Sequence, residues 1–165
     1  MASNIADLFE HAVDAFPERL AVACGDREVT FAELEEHANR LAHYLSGHGV
    51  AAGQHVGVYA RNSIEAVTAL LAVYKLRAVA INVNYRYVEN ELRYLFTDAD
   101  LVALVHDRRY ADLASQPWKR RVKYFLGERP VVLSRRRDHR ACDAVHLAEG
   151  TQSVRRLGLT AWVVA

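Results

Sequence analysis

Apolar residues recur at helix spacing and at strand spacing, in alternation, from the start of the chain to about residue 114. Ile5, Leu8, Phe9, Ala12, Val13 and Phe16 follow a 3.6-residue period that Pro17 closes, which predicts a helix from Asn4 to Phe16. Leu20–Cys24 and Glu28–Phe31 read as two short strands joined at a Gly25-Asp26 turn. Thr30 and Glu33 stand at capping-box spacing, where hydroxyl and carboxylate accept the amides that a helix start leaves unpaired. The helix beyond places Leu34, Ala38, Leu41, Ala42 and Leu45 on one face, opposite Glu35, Glu36, Asn39 and Arg40. Next come a strand at Val56–Ala60, a helix at Ile64–Leu76 capped by Asn62 or Ser63, and a strand at Val79–Val83. A helix at Val88–Phe96 with Leu92, Leu95 and Phe96 inward, a strand at Leu101–Val105 and a helix start at Arg108–Ala114 complete the series. Leu101–Val105 is apolar throughout, as in a strand covered on both faces. This alternation predicts an α/β fold of parallel βαβ units with right-handed crossovers, preceded by a short hairpin.

After Pro117 no helix or strand period holds for more than a few residues. Val131–Leu133 and Trp162–Ala165 are short apolar runs, and the remainder is basic and irregular. Charge changes at the same point. The formal net charge of +1 conceals a first part, 1–116, with 10 Lys+Arg against 16 Asp+Glu, and a second, 117–165, with 11 against 4. These are two regions of different character, an α/β layer and a basic tail. With 52% hydrophobic and 25% charged residues the chain has the composition of a globular protein, not of a disordered one. Two cysteines, Cys24 and Cys142, make no disulfide framework, which points to a reduced, cytoplasmic setting. Asp7, Glu10 and Asp14 interrupt any signal-like apolar run at the N-terminus, and no run approaches membrane-spanning length.

Few patterns carry chemistry. Gly47-His-Gly49-Val-Ala-Ala-Gly53 has the look of a dinucleotide loop, but its glycines follow a helix and precede a strand. A phosphate loop needs the reverse order, so that helix amides face the ligand. The run reads as a helix end and turn. His139, Cys142 and His146 are loosely spaced and lack a fourth ligand, so no metal site is assigned. Cys24, at a strand end, reads as a small core residue. Lys119, Arg120, Arg121, Lys123 and Arg135–Arg137 would attract phosphates generally. No nucleic-acid-binding motif accompanies them, so no specific nucleic-acid partner is predicted. No Ser-His-Asp or Cys-His arrangement follows from spacing.

Several pieces in register carry a family resemblance. Asn4-Ile-Ala-Asp-Leu-Phe-Glu10 is followed by Thr30-Phe-Ala-Glu-Leu34 and Ala38-Asn-Arg-Leu-Ala42. Gly49-Val50, Gly53 to Ala60, Asn62 and Glu65 come next, then Lys75, Ala78 and Ile81-Asn-Val-Asn-Tyr-Arg-Tyr87. Together they resemble the N-terminal part of the fatty-acyl-CoA synthetases of actinobacterial type, within the adenylate-forming (AMP-binding) superfamily. The resemblance covers about residues 4 to 114.

It implies a partial N-terminal subdomain of the adenylate-forming fold. Its members convert a carboxylic acid and ATP to an acyl-adenylate, from which the CoA thiol displaces AMP. That chemistry calls for ATP, Mg²⁺, CoA, a phosphate loop with a lysine, and a further lysine from a C-terminal domain. No run of the "SGTTGxPKG" kind occurs in the 165 residues, and Lys75, Lys119 and Lys123 sit in other contexts. No catalytic residue is therefore assigned, and the chain alone is expected to be inactive. The resemblance leaves one edge of a CoA phosphate site, at Asn84 and Arg86 after one strand and Arg108 and Arg109 after the next. The abrupt arginine-rich tail suggests a shifted reading frame in a disrupted synthetase gene. An alternative is a non-catalytic module that pairs with a full-length synthetase, associates with itself through exposed apolar faces, or holds CoA.

Overall fold

The first three helices each start at a residue whose side-chain oxygen accepts an amide of the first turn. The structure, a computed structural model, describes residues 4–110, 131–132 and 159–163. Helix α1 (Ile5–Ala15) is capped by Asn4, whose Oδ1 accepts from Ala6 N at 2.8 Å while Asp7 accepts from Asn4 N at 2.9 Å. Helix α2 (Phe31–Gly47) has the expected box, Thr30 Oγ1 accepting from Glu33 N at 3.2 Å and Glu33 from Thr30 N at 2.8 Å. Helix α3 (Ile64–Lys75) is capped by Ser63 rather than Asn62, through Oγ and Ala66 N at 3.1 Å. Each such cap stabilises its helix by about 1 kcal/mol. Helix α4 (Glu89–Asp98) follows Val88, whose amide donates to Glu91 Oε2 at 3.2 Å.

Strands β1 (Leu20–Cys24) and β2 (Arg27–Thr30) form the antiparallel hairpin. Strands β3 (His55–Tyr59), β4 (Val79–Val83) and β5 (Leu101–Asp107) run parallel, with β3 between the other two. The chain thus passes from β3 to β4 on one side, then across to β5 on the other. With right-handed crossovers those two opposite steps put α3 and α4 on opposite faces of the sheet. The packing agrees. Leu41 and Leu45 of α2 and Ala69, Ala72 and Val73 of α3 cover Val56, Val58 and Val105. On the other face Leu92 and Phe96 of α4 cover Tyr59, Val83, Leu101 and Leu104.

A bulge sets β5 between these layers. His55 pairs with Leu101 and Val56 with Ala103, so Val102 is an extra residue. Leu101 and Leu104 consequently face α4, whereas Val102 and Ala103 both face α2 and α3. Gly57 lets the leucines close over β3, since a Cβ there would stand 2.8 Å from Leu104 Cδ1 and 3.0 Å from Leu101 Cδ1. The hairpin packs through Val29 against Leu34, Ala38, Ile64 and Leu71, with Cys24 half-buried beside them as a small core residue. An Arg27–Glu65 ion pair, each side chain 13% exposed, ties the hairpin to the start of α3. Glu65, a residue of the family-like pattern, therefore has a structural partner.

Three expectations change. Helix α1 does not bury the face its periodicity suggested, for Ile5, Leu8 and Phe16 are exposed while Ala6 is buried and Phe9 packs beside the hairpin cluster. The Ala6–Phe9–Val13 stripe lies inward instead, and on the same helix Asp7 pairs with Arg77 and Glu10 with Lys75. The parallel βαβ units stand as expected, but the tail, read as irregular, adds antiparallel strands to their sheet. Strands β6 (Val131–Val132) and β7 (Leu159–Val163) extend it in the order β4-β3-β5-β7-β6, with β7 antiparallel to β5 and to β6. β6 falls within the apolar run Val131–Leu133, and β7 overlaps the run Trp162–Ala165 at Trp162 and Val163. The helix start at Arg108–Ala114 is, over its described part, a 3₁₀ turn at Arg108–Tyr110, and residues 111–114 lie outside the described residues. So do Pro117, Trp118–Lys123, Arg135–Arg137, His139, Cys142 and His146.

A candidate anion-binding edge at the carboxyl ends of β3, β4 and β5

Ligands of open α/β sheets lie outside the carboxyl ends of the strands, at the point where successive connections depart in opposite directions. Here that point is between β3 and β5, because β3 leads to one flank and β5 occupies the other. The residues leaving the three parallel strands are arginines and tyrosines: Arg61 after β3, Tyr85-Arg86-Tyr87 after β4, and Arg108-Arg109-Tyr110 after β5.

Asn84 shapes the first of these loops. Its Oδ1 accepts from Arg86 N at 3.0 Å and its carbonyl from Tyr87 N at 3.0 Å, a side-chain-closed turn. Arg86 and Arg61 both lie on the Tyr85 ring, at 5.5 Å and 5.1 Å from its centroid. Arg86 Nε also donates to the Tyr85 hydroxyl at 3.2 Å. That hydrogen bond, with the charge of the two arginines, holds the Tyr85 phenol below its ordinary value of 10.0.

The β5 end is braced by a carboxylate. Arg109 Nε lies 3.1 Å from Asp107 Oδ2 and 3.3 Å from Oδ1, and a terminal guanidinium nitrogen 2.9 Å from Oδ2. Asp107 Oδ1 also accepts from Arg109 N at 3.0 Å. Arg109 thus presents a guanidinium already paired with its neighbour. Arg108 and Arg86 are exposed at the same edge. Tyr59, the last residue of β3, stands between the two loops. Its hydroxyl donates to the Tyr87 carbonyl at 2.9 Å, and its ring lies 4.4 Å from that of Tyr110. Burial pushes both phenols above their ordinary value.

The four residues expected from sequence therefore share one edge of the sheet, with distinct roles. Asn84 closes a turn, Arg86 stacks on Tyr85, Arg109 pairs with Asp107, and Arg108 is exposed beside it. Sequence reasoning missed Arg61, Tyr59, Tyr85, Tyr110 and Asp107. One signal could have found them, since each lies at the carboxyl end of a parallel strand or just beyond it. Four guanidinium groups against one carboxylate make an edge suited to an anionic ligand.

Lys75 has no place in this site. Its side chain is 7% exposed, paired with Glu10 and, at 2.7 Å, with Glu35. Burial alone would lower its pKa, but the two carboxylates outweigh that and raise it. The glycines after α2 behave as a helix end: Gly49 and Gly53 take φ of +91° and +78°, and Val50 N donates to Leu45 O at 3.1 Å. Among the described residues no group of three His, Cys, Asp or Glu could hold a metal ion. Among them no helix is long and apolar enough to cross a membrane.

The sequence profile described as AMP-binding enzyme matches residues 9–153, which runs past residue 116. A 3-oxocholest-4-en-26-oate–CoA ligase of Rhodococcus rhodochrous is 65% identical over 112 residues, 68% of this chain and 20% of the ligase. A medium/long-chain-fatty-acid–CoA/3-oxocholest-4-en-26-oate–CoA ligase of Mycobacterium marinum is 60% identical over the same length. The chain thus spans 20% of the length of these curated relatives. Among solved structures, an anthranilate CoA ligase in complex with anthranoyl-AMP superimposes with a TM-score of 0.65 at 29% identity, over 67% of this chain and 22% of that one. The N-terminal domain of FACL13 from Mycobacterium tuberculosis shares the fold, with a TM-score of 0.65 over 70% of this chain and 31% of that one.

Proposed function

The chain belongs to the AMP-binding enzyme family, and from that premise we propose that it is the N-terminal layer of a ligase that joins a lipid carboxylic acid to CoA. The observation that carries this is the 65% identity over 112 residues with a 3-oxocholest-4-en-26-oate–CoA ligase. The substrate class is a fatty acid or a carboxylated steroid side chain, activated with ATP and Mg²⁺ to an acyl-adenylate before transfer to CoA, in the cytoplasm. The 165 residues supply a scaffold and one edge of the CoA site, and do not by themselves perform adenylation. Arg86, Arg108 and Arg109, with Arg61, form the cationic edge toward the CoA 3′-phosphate, and Asn84 holds the turn that presents Arg86.

A chimera tests this reading. Residues 4–110 of this chain, placed over the matching segment of the Rhodococcus ligase, give an enzyme that retains CoA ligation. Arg86→Ala within it raises KM for CoA several-fold and leaves KM for ATP unchanged. A folded chimera without ligase activity refutes the assignment of the layer, and an unchanged KM for CoA refutes the role of the edge.

A second reading rests on the exposed apolar residues Tyr87, Val88 and Tyr94 around α4 and Ile5 and Leu8 on α1. In it the chain is a non-catalytic module that pairs with a full-length synthetase or with itself through those faces. Co-purification with a synthetase, lost on Tyr94→Lys, supports it.

A further inference from the structure

Arg86 and Arg109 are separated by a strand and a helix in sequence, yet the residue following each is held by one side chain. Tyr87 follows Arg86, and its carbonyl accepts the Tyr59 hydroxyl at 2.9 Å. Tyr110 follows Arg109, and its ring packs on the Tyr59 ring at 4.4 Å between centroids. Tyr59 itself is 0% exposed and is anchored among Val83, Leu92 and Leu104. We propose that Tyr59 is a positioning residue, which locks the loop after β4 to the turn after β5 so that their arginines act as one anion-facing surface.

Each arginine loop is already stiff by itself. The Asn84 turn fixes Arg86 from its own side, and the Asp107 carboxylate fixes Arg109. What neither brace supplies is the placement of one loop relative to the other. Tyr59 supplies it from the central strand. A phenol suits the task because its ring belongs to the apolar layer and its hydroxyl reaches the backbone at the edge. A phosphate monoester held by arginines from both loops needs that fixed separation, since guanidinium forks bind oxygens only in a narrow geometry. The consequence for binding rests on the reading of this edge as a CoA phosphate site. The mechanical coupling does not.

The test uses the 165-residue chain and its Tyr59→Phe variant, which keeps the ring and removes the hydroxyl. Hydrogen exchange is followed at the Tyr87 and Arg109 amides, both hydrogen-bonded here, and at Leu45 and Val73 within α2 and α3. In Tyr59→Phe the Tyr87 amide, whose loop loses its tether, exchanges about fivefold faster, the Arg109 amide, still held through the ring contact, by a smaller factor, and the helix amides are unchanged. Tyr110→Leu, which removes the ring contact from the opposite side, accelerates the same two amides and serves if Tyr59→Phe does not fold. Faster exchange at every site, at neither edge amide, or at the Tyr87 amide alone overturns the proposal and leaves Tyr59 without a coupling role. Adenosine 3′,5′-bisphosphate is the ligand probe. It binds the unmodified chain in a salt-sensitive manner and about fivefold more weakly to Tyr59→Phe. No binding to the unmodified chain refutes the CoA-phosphate reading while the exchange data still decide the coupling. Equal binding by both chains, with the edge amides accelerated, refutes the claim that the coupling serves the ligand.

Discussion

The two faces of the parallel sheet are built differently. On one, α2 and α3 lie side by side and close an apolar layer from Leu41 and Leu45 to Val56, Val58 and Val105. On the other, α4 alone covers Tyr59, Val83, Leu101 and Leu104, and its layer runs out into tyrosines and arginines at the carboxyl edge. The first face is a packing solution, two helices closing over an aliphatic cluster. The second is thinner, and it is the one from which a side chain, Tyr59, reaches both loops of the candidate site. Stability is concentrated on one side of the sheet and the candidate chemistry on the other.

The sharpest way to break this contrast is to remove one leucine from each face. Leu45→Ala, at a position fully buried between two helices and the sheet, costs about 4 kcal/mol, because little around it can collapse into the cavity. Leu92→Ala, equally buried under a single helix, costs about 2.5 kcal/mol, because α4 can settle inward. Urea midpoints of the two variants decide it, and a larger loss at Leu92 reverses the assignment of strength. Gly57→Ala probes the tightness of the α4 face. The new methyl would meet the Leu104 and Leu101 side-chain ends, which must turn aside. Overpacking exceeds the gain from restricting the unfolded chain, and the net loss is about 1 kcal/mol in the same assay.

The smallest effect is a pH slope from α2. Burial holds His37 below its ordinary value of 6.5. As pH falls beneath 6.5 the unfolded chain therefore takes up the proton first, and stability that is full above that value declines toward the lower folded value. His37→Gln flattens the change in urea midpoint between about pH 7.5 and about pH 5.5. An unaltered slope assigns it to other groups.

Legibility in the sequence divides along the same line. The α2–α3 face could be read because its residues repeat at helix spacing, and Thr30 with Glu33 marks where it begins. The parallel strands followed from their apolar runs. Helix α1 is ambiguous because two stripes of apolar residues compete on it, and its ion-pair partners, Arg77 and Lys75, come about seventy residues later in the chain. The pairing of β5 with β7 spans more than fifty residues and leaves no local signal. The arginines of the edge are suggested by a family resemblance, not by periodicity. Tyr59 was invisible in either reading, since a tyrosine ending an apolar strand looks like one more core residue until its hydroxyl has a partner.

The proposed function treats these 165 residues as the scaffold layer of a CoA ligase, without its adenylation centre. Acid-dependent pyrophosphate release is its most direct test, measured with the purified chain, ATP, Mg²⁺, CoA, and either a long-chain fatty acid or 3-oxocholest-4-en-26-oate. No release above that of buffer is expected with either acid. Release that depends on the acid, with acyl-AMP formed in equal amount, contradicts it.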